Sequence, residues 1–281
     1  MNRREFIKKI FVGVLGISVL SALDGFFIEP RIFRRKDVTV PLDALPEGFN
    51  GFRMAHFSDV HIGKGLTAED LIPLVGKINR AKPDMVVFTG DLLDYEMSEL
   101  NKTAEVLGEL TAPYGKFAVL GNHDVWEEID TEQLLQSYRA AGFKPLVNEN
   151  VRIVHRDTGT PLYLAGLDDA WGYPSWSKTF GGIPPDSCTI ALIHEPNLAD
   201  RAKKYNVSLQ LSGHSHGGQV RLPFIGATVY PPLGDKYSDG LQKADKSDMW
   251  VHTSRGIGMT KLPVRFLCPP EWHIITLCNR A

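Results

Sequence analysis

The chain has 281 residues, 43% hydrophobic and 23% charged, with a formal net charge of −2. That is ordinary globular composition, enough for one large domain or two small ones, and its balance offers no basic field to nucleic acid. Cys188, Cys268 and Cys278 are too few for a disulfide framework, and the lack of a CxxC pair argues against sulfur ligation.

Asn2-Arg3-Arg4-Glu5-Phe6-Ile7-Lys8 precedes an apolar run from Ile10 to Leu23. Paired arginines followed by an aromatic, an aliphatic and a lysine resemble a twin-arginine export signal. The run suits a signal's apolar region better than a full span. Phe26, Phe27 and Ile28 nevertheless continue it past Asp24, and no A-x-A cleavage site follows. Residues 1–30 are therefore read as a twin-arginine-like signal or an uncleaved membrane anchor, in preference to a buried helix. Arg31, Arg34, Arg35 and Lys36 flank the far side, so basic residues leave the orientation open.

Residues 37–50 read as an edge strand and a Pro-Glu-Gly turn. A short strand over 52–57 ends at Ser58-Asp59-Val60-His61. The spacing of Leu71, Ile72, Val75 and Ile78 predicts a helix over 68–81. A buried strand over 85–89 runs into Gly90-Asp91-Leu92-Leu93-Asp94. A helix over 98–110 with Ser98 as N-cap precedes a strand over 117–120, which ends at Gly121-Asn122-His123-Asp124. A helix over 131–141 takes Thr131 as its cap. Strands then follow over 151–155, 162–166, 189–193, 209–212, 250–253 and 273–277, broken by one helix over 197–204. The alternating first half argues for parallel strands. No linker separates the halves. The expected fold is α/β, a four-layer α-β-β-α sandwich of two packed mixed sheets flanked by helices. Sites in such sheets form beyond the carboxyl ends of strands.

Five loops follow apolar strands and carry Asp, Asn or His: Asp59-x-His61, Gly90-Asp91-x-x-Asp94, Gly121-Asn122-His123-Asp124, His194, and Gly213-His214-Ser215-His216. Imidazole is the commonest metal-binding side chain, and alternate residues of a turn converge on one point. In order and type these loops resemble the motifs of the calcineurin-like metallophosphoesterase family, over residues 52–218. The resemblance implies a phosphoesterase domain over 37–281 with the metal site at its strand ends. It also implies two divalent ions, roughly 3.5–4 Å apart, that ionise a bridging water and clamp phosphoryl oxygens. It makes Asp91 the bridge, gives Asp59, His61 and His216 to one ion, and gives Asn122, His194 and His214 to the other. A mixed nitrogen and oxygen set suits Mn, Fe or Zn and fits Ca poorly. His123, next to a ligand, becomes the catalytic histidine that assists the leaving oxygen. Asp94 is its orienting carboxylate or else a turn residue; Asp124 is a second candidate orienter or a salt-bridging residue. Tyr95 stands where the family's protein phosphatases carry Arg-Gly, which argues against a phosphoprotein substrate.

His56, His155, His252 and His273 read as packed or surface imidazoles. Arg255 is either a phosphate binder or a salt-bridge partner. The aromatic loop 170–182 is either a lid for an amphiphile or a cluster folded onto the body. With Leu222-Pro223-Phe224-Ile225-Gly226 it suggests a substrate at a bilayer surface. The chain is most similar to a bacterial membrane-tethered branch of the family. That likeness implies hydrolysis of a phosphodiester or pyrophosphate bond, on a small-molecule or lipid-linked substrate such as UDP-2,3-diacylglucosamine. An envelope phosphodiesterase or phosphomonoesterase of other specificity is the alternative, and a non-catalytic scaffold of the same fold is further off. The expected location is at a membrane, either outside after export or anchored on the cytoplasmic face.

Overall fold

The computed structural model describes residues 2–280. An N-terminal helix, α1 (Arg3–Leu23), is capped by Asn2, whose side chain accepts from Glu5 N while the Glu5 carboxylate accepts from Asn2 N. It passes through a wide turn at Asp24–Ile28 and a tight turn at Glu29–Arg31. By length and composition the Arg3–Arg31 helix is able to cross a membrane, and only 6% of its apolar window is buried.

The body then follows in chain order. It opens with β1 (Arg34–Leu42), β2 (Arg53–Phe57), α2 (Ile72–Ala81), β3 (Met85–Thr89), α3 (Leu100–Gly108), β4 (Lys116–Val119), α4 (Thr131–Ala140) and β5 (Phe143–Pro145). It continues through β6 (Glu149–Val154), β7 (Pro161–Gly166), α5 (Trp176–Phe180), β8 (Thr189–Leu192), α6 (Ala199–Ala202) and β9 (Leu209–Ser212). A small hairpin of β10 (Arg221–Leu222) and β11 (Gly226–Ala227) precedes β12 (Gly240–Lys243), β13 (Trp250–Thr253) and β14 (Glu271–Asn279).

Two six-stranded mixed sheets result, ordered β1-β14-β2-β3-β4-β5 and β12-β13-β9-β8-β7-β6. Strands β2 to β5 run parallel, as do β13, β9, β8 and β7. Successive side chains of a strand face opposite layers. Met85 and Val87 therefore face the second sheet, alongside Leu164, Ile190 and Leu211. Val86 and Phe88 face outward under α2, α3 and α4. On the far side Ala165, Ala191 and Ile193 pack against α5 and α6. The expected four layers are present.

Several boundaries depart from the sequence expectations for local reasons. Pro73, which lacks an N–H, is tolerated only in a first helical turn, so α2 starts at Ile72 and residues 68–71 form a separate tight turn capped by Thr67. Ser98 caps nothing: its hydroxyl turns to Glu96, and α3 begins at Leu100. Asp130, not Thr131, caps α4, accepting from Gln133 N at 3.0 Å, while Thr131 Oγ1 donates to Asp124 O. The helix over 197–204 is broken into tight turns around the short α6. The short elements β5, α5 and β10 to β12 carry too little periodicity to be seen in the sequence.

His56, His252 and His273 lie on the inner faces of β2, β13 and β14, with ring centroids 4.4–5.8 Å apart. Burial, then the neighbouring rings, hold His56 and His252 well below their ordinary pKa. Beside them Glu271, 1% exposed in its side chain, pairs with Lys36 at 2.6 Å and with His273 at 3.2 Å. Burial alone would raise the Glu271 carboxyl; the His273 ring and the Lys36 ammonium outweigh it and hold it at about 2. An unfolded glutamate titrates near ~4.3. A depressed native pKa adds stability above the unfolded value, which is lost as pH falls through the native one. Wild type should therefore exceed Glu271→Gln by about 3 kcal/mol above roughly pH 5, the gap closing between about pH 4 and 2. Urea unfolding at stepped pH measures it, and a gap independent of pH would contradict the assignment.

Candidate metal centre

Five loops converge at the carboxyl ends of β2, β3, β4, β8 and β9, so both sheets contribute. Asp59, His61, Asp91, His214 and His216 all adopt left-handed φ, between 48° and 68°. Such backbone is rare outside glycine and is held at functional sites by surrounding structure. Two glycines make the approach possible. A Cβ at Gly121 would land on the Asp91 carboxylate, and one at Gly213 on that of Asp59.

The predicted ligands come together. Asp91 Oδ2 lies 3.4 Å from His61 Nε2 and 3.2 Å from His194 Nε2. His61 Nε2 is 3.1 Å from His216 Nε2, which is 3.6 Å from Asp59 Oδ1. His214 Nδ1 is 2.8 Å from Asn122 Oδ1. Asp59, His61 and His216 form one buried group able to hold a metal, and Asp91, His194 and His214 another. Separations of 2.8–3.6 Å suit donors held roughly 2 Å from a common ion.

The donors also have the right protonation partners. His194 Nδ1 donates to Thr89 O at 2.6 Å, so its buried Nε2, which lacks a hydrogen bond of good geometry among the described residues, faces Asp91 Oδ2. His214 Nε2 donates to Pro232 O at 2.8 Å, so its Nδ1 lone pair faces the Asn122 oxygen, acceptor against acceptor. Outward N–H bonds of this kind fix the tautomer of metal-binding imidazoles. Burial alone would raise Asp91; the imidazoles of His194, His61 and His123 outweigh it and hold it well below the carboxylate range. The residues present therefore fit divalent cations.

His123 stands beside this set. Its backbone N–H donates to Asp91 Oδ1 at 2.9 Å, and its ring Nδ1 lies 3.2 Å from Asp94 Oδ1. Burial alone would raise Asp94; bonds from His123 and His61 outweigh it and hold it at about 2. Trp126 lies against the His123 ring with centroids 3.6 Å apart, and Tyr95 lies 5.9 Å away. Trp126, three residues past His123, is a contact the sequence reading missed. Asp124 does not reach the His123 ring. Its carboxylate accepts from the N–H groups of Asp91, Leu92 and Gly121, tying the β3 and β4 loops together.

A cavity of about 500 Å³ opens over Asp91, Asn122, His123, His214 and His216. Its walls are largely apolar and include Tyr95, Trp126, Trp171, Val220, Val229 and Leu262. Only part of the aromatic loop folds onto the body. Trp171 and Tyr173 are exposed, with Trp171 lying 5.7 Å from His214, while Trp176 and Phe180 are buried against Tyr205. Beneath the loop, burial and then Glu195 push the Asp169 carboxyl up to about 10. Neither acid stood out in the sequence, because nothing there shows that they face each other. Arg255 is spent on a bidentate ion pair with Asp239, at 2.9 and 2.5 Å, and does not line the cavity.

Residues 52–218 match the sequence model described as calcineurin-like phosphoesterase. An uncharacterized metallophosphoesterase, YkuE, of Bacillus subtilis (strain 168) is 36% identical, over 99% of this chain and 98% of its own. An uncharacterized metallophosphoesterase of Aquifex aeolicus is 33% identical, over 97% of this chain and 100% of its own. A transmembrane protein with metallophosphoesterase domain from Danio rerio is 31% identical, over 86% of this chain and 56% of its own. Among solved structures, TT1561 of Thermus thermophilus aligns with TM-score 0.49 and 14% identity, over 74% of this chain and 91% of that one.

Metal stoichiometry tests the geometry. Elemental analysis after Mn loading should find two ions per wild-type chain and none in Asp91→Asn. His216→Ala and His194→Ala should each lose one ion first. Wild-type stoichiometry in Asp91→Asn would contradict the shared position of its carboxylate.

Proposed function

The chain belongs to the calcineurin-like phosphoesterase family, and we propose that it is a dinuclear hydrolase of phosphodiester or pyrophosphate bonds. The observation that carries this reading is Asp91 Oδ2, within 3.4 Å of imidazole nitrogens from both donor groups and beside the cavity. Asp59, His61 and His216 would hold one ion with Asp91; Asn122, His194 and His214 would hold the other. The donor set suits Mn, with Fe or Zn as substitutes. When bound, two such ions supply Lewis acidity and a water acidic enough to attack phosphorus at neutral pH.

The chain's own residues do the rest. Asn122 adds an oxygen without charge, which limits repulsion of a phosphate. Asp94 holds His123 by Nδ1, leaving Nε2 at the cavity to give a proton to the leaving oxygen. Trp126 keeps the ring from swinging away. The apolar walls favour a substrate with a hydrophobic part, and UDP-2,3-diacylglucosamine is one candidate of that kind. Residues 1–30 act in this reading as a membrane anchor or twin-arginine signal, and 37–281 as the catalytic domain.

His123→Ala should lower kcat on a soluble chromogenic diester by about 10²–10⁴-fold with metal content unchanged. Asp94→Asn should cost about 10–100-fold. Undiminished turnover by metal-loaded His123→Ala would overturn the assigned role. A panel of UDP-2,3-diacylglucosamine, simple diesters and monoesters, assayed with Mn, then separates the substrate classes.

A further inference from the structure

The tip of the β10–β11 hairpin, Leu222-Pro223-Phe224-Ile225, is covered by nothing in the described chain. Phe224 is 109% exposed and Ile225 71%. Phe224 also holds a φ of 67°, which a bulky residue rarely adopts. Val229, Leu262 and Leu267 are exposed as well. An apolar surface of this extent on a folded domain marks contact with a partner or a membrane.

The identity of that partner follows from what the hairpin is attached to. Arg221 N donates to Phe266 O at 2.9 Å, and Gln219 Nε2 donates to Thr260 O and Leu262 O at 3.0 Å. The same 260–268 segment receives the end of the apolar N-terminal helix. Arg265 N donates to Gly25 O at 2.9 Å, and the Glu29 carboxylate accepts from Leu267 N at 3.0 Å and from Cys268 N. Glu29 is itself buried, so this junction is a fixed joint and no loose tether. Leu262 and Val264 of the segment also wall the cavity. The end of α1, the hairpin and the rim of the cavity therefore form one connected surface.

We propose that the Leu222–Ile225 tip, with Leu262 and Leu267, is a second bilayer contact beside α1, and that it holds the cavity mouth against the lipid headgroups. The proposal rests on the reading of residues 1–30 as an uncleaved anchor. Apolar tips sink below the headgroup layer while neighbouring cations meet its phosphates. Exposed Lys261 adjoins Leu262, and exposed Arg31 and Arg34 follow the anchor. The substrate class implied is an amphiphile whose phosphate reaches the cavity while its acyl part stays in the bilayer.

The test uses the full-length chain in vesicles of phosphatidylethanolamine and phosphatidylglycerol. In a Cys278→Ser background, with Cys188 and Cys268 buried, Phe224→Cys carries an environment-sensitive fluorophore. Asp157→Cys, on the loop before β7 at the opposite strand ends, is the control. The expected result is a blue-shifted probe at 224 that is quenched by doxyl-labelled lipid, and a water-like, unquenched probe at 157. Equal, water-like spectra at both positions would overturn the proposal. So would a blue shift at 224 without lipid quenching together with disulfide crosslinking between unlabelled Phe224→Cys chains, which would identify a second copy as the occupant. Each variant is also assayed on a soluble diester. Full hydrolysis without lipid quenching removes the docking surface and leaves the hydrolase reading standing; quenching without hydrolysis does the reverse.

Discussion

A carboxylate with 1% exposure sits between imidazoles delivered by both sheets: Asp91 Oδ2 lies 3.4 Å from His61 Nε2 and 3.2 Å from His194 Nε2. Removing such a group from water costs several kcal/mol unless cations and donors compensate. Here the compensation comes from three directions, since the His123 N–H also bonds its second oxygen. The arrangement holds only if the β3 loop is fixed, and Asp124 fixes it through the backbone N–H groups of Asp91 and Leu92 while also accepting from Gly121 of the β4 loop. It also needs left-handed backbone at several ligands, a local strain that the packed sheets on either side must sustain.

The interior between the sheets continues this support. Thr89 accepts from His194 Nδ1 through its carbonyl and bonds His56 Nε2 through its hydroxyl. His56 in turn packs on His252 and His273, and His273 on Glu271, which pairs with Lys36. A polar file thus leads from the metal-binding loops to the edge strand β1. Its rings are buried and largely without partners among the described residues, so it tolerates little rearrangement. Loops that must present ligands to within fractions of an ångström gain from such rigid backing.

The division between what was legible in the sequence and what was not has a physical basis. Asp59, Asp91, Asn122 and His214 could be read because each follows a short apolar strand, and strand ends are where this architecture gathers polar loops. The strands themselves were legible because burial on both faces makes them apolar runs, as in Met85–Thr89. Helix starts were not: at α4 the Asp130 carboxylate caps in place of Thr131, and at α3 no side chain caps, the Ser98 hydroxyl turning instead to Glu96. The staple formed by Asp124, the stacking of Trp126 on His123 and the Asp169–Glu195 contact join residues distant in sequence or unmarked by any pattern. Arg255 illustrates the same limit: its guanidinium suits phosphate, but Asp239, sixteen residues away, already occupies it.

The two halves of the molecule meet at one rim. The loops that carry the candidate metal ligands form its floor, the apolar cavity walls its sides, and the segment that locks the N-terminal helix one of its edges. The proposed function depends on Asp91 acting as the shared ligand of two ions. Anomalous diffraction at the manganese edge, from crystals grown with Mn, tests that claim most directly. The predicted result is two peaks flanking the Asp91 carboxylate, one beside Asp59 and His216 and the other beside His194 and His214. A single peak, or peaks that do not touch Asp91, would contradict it.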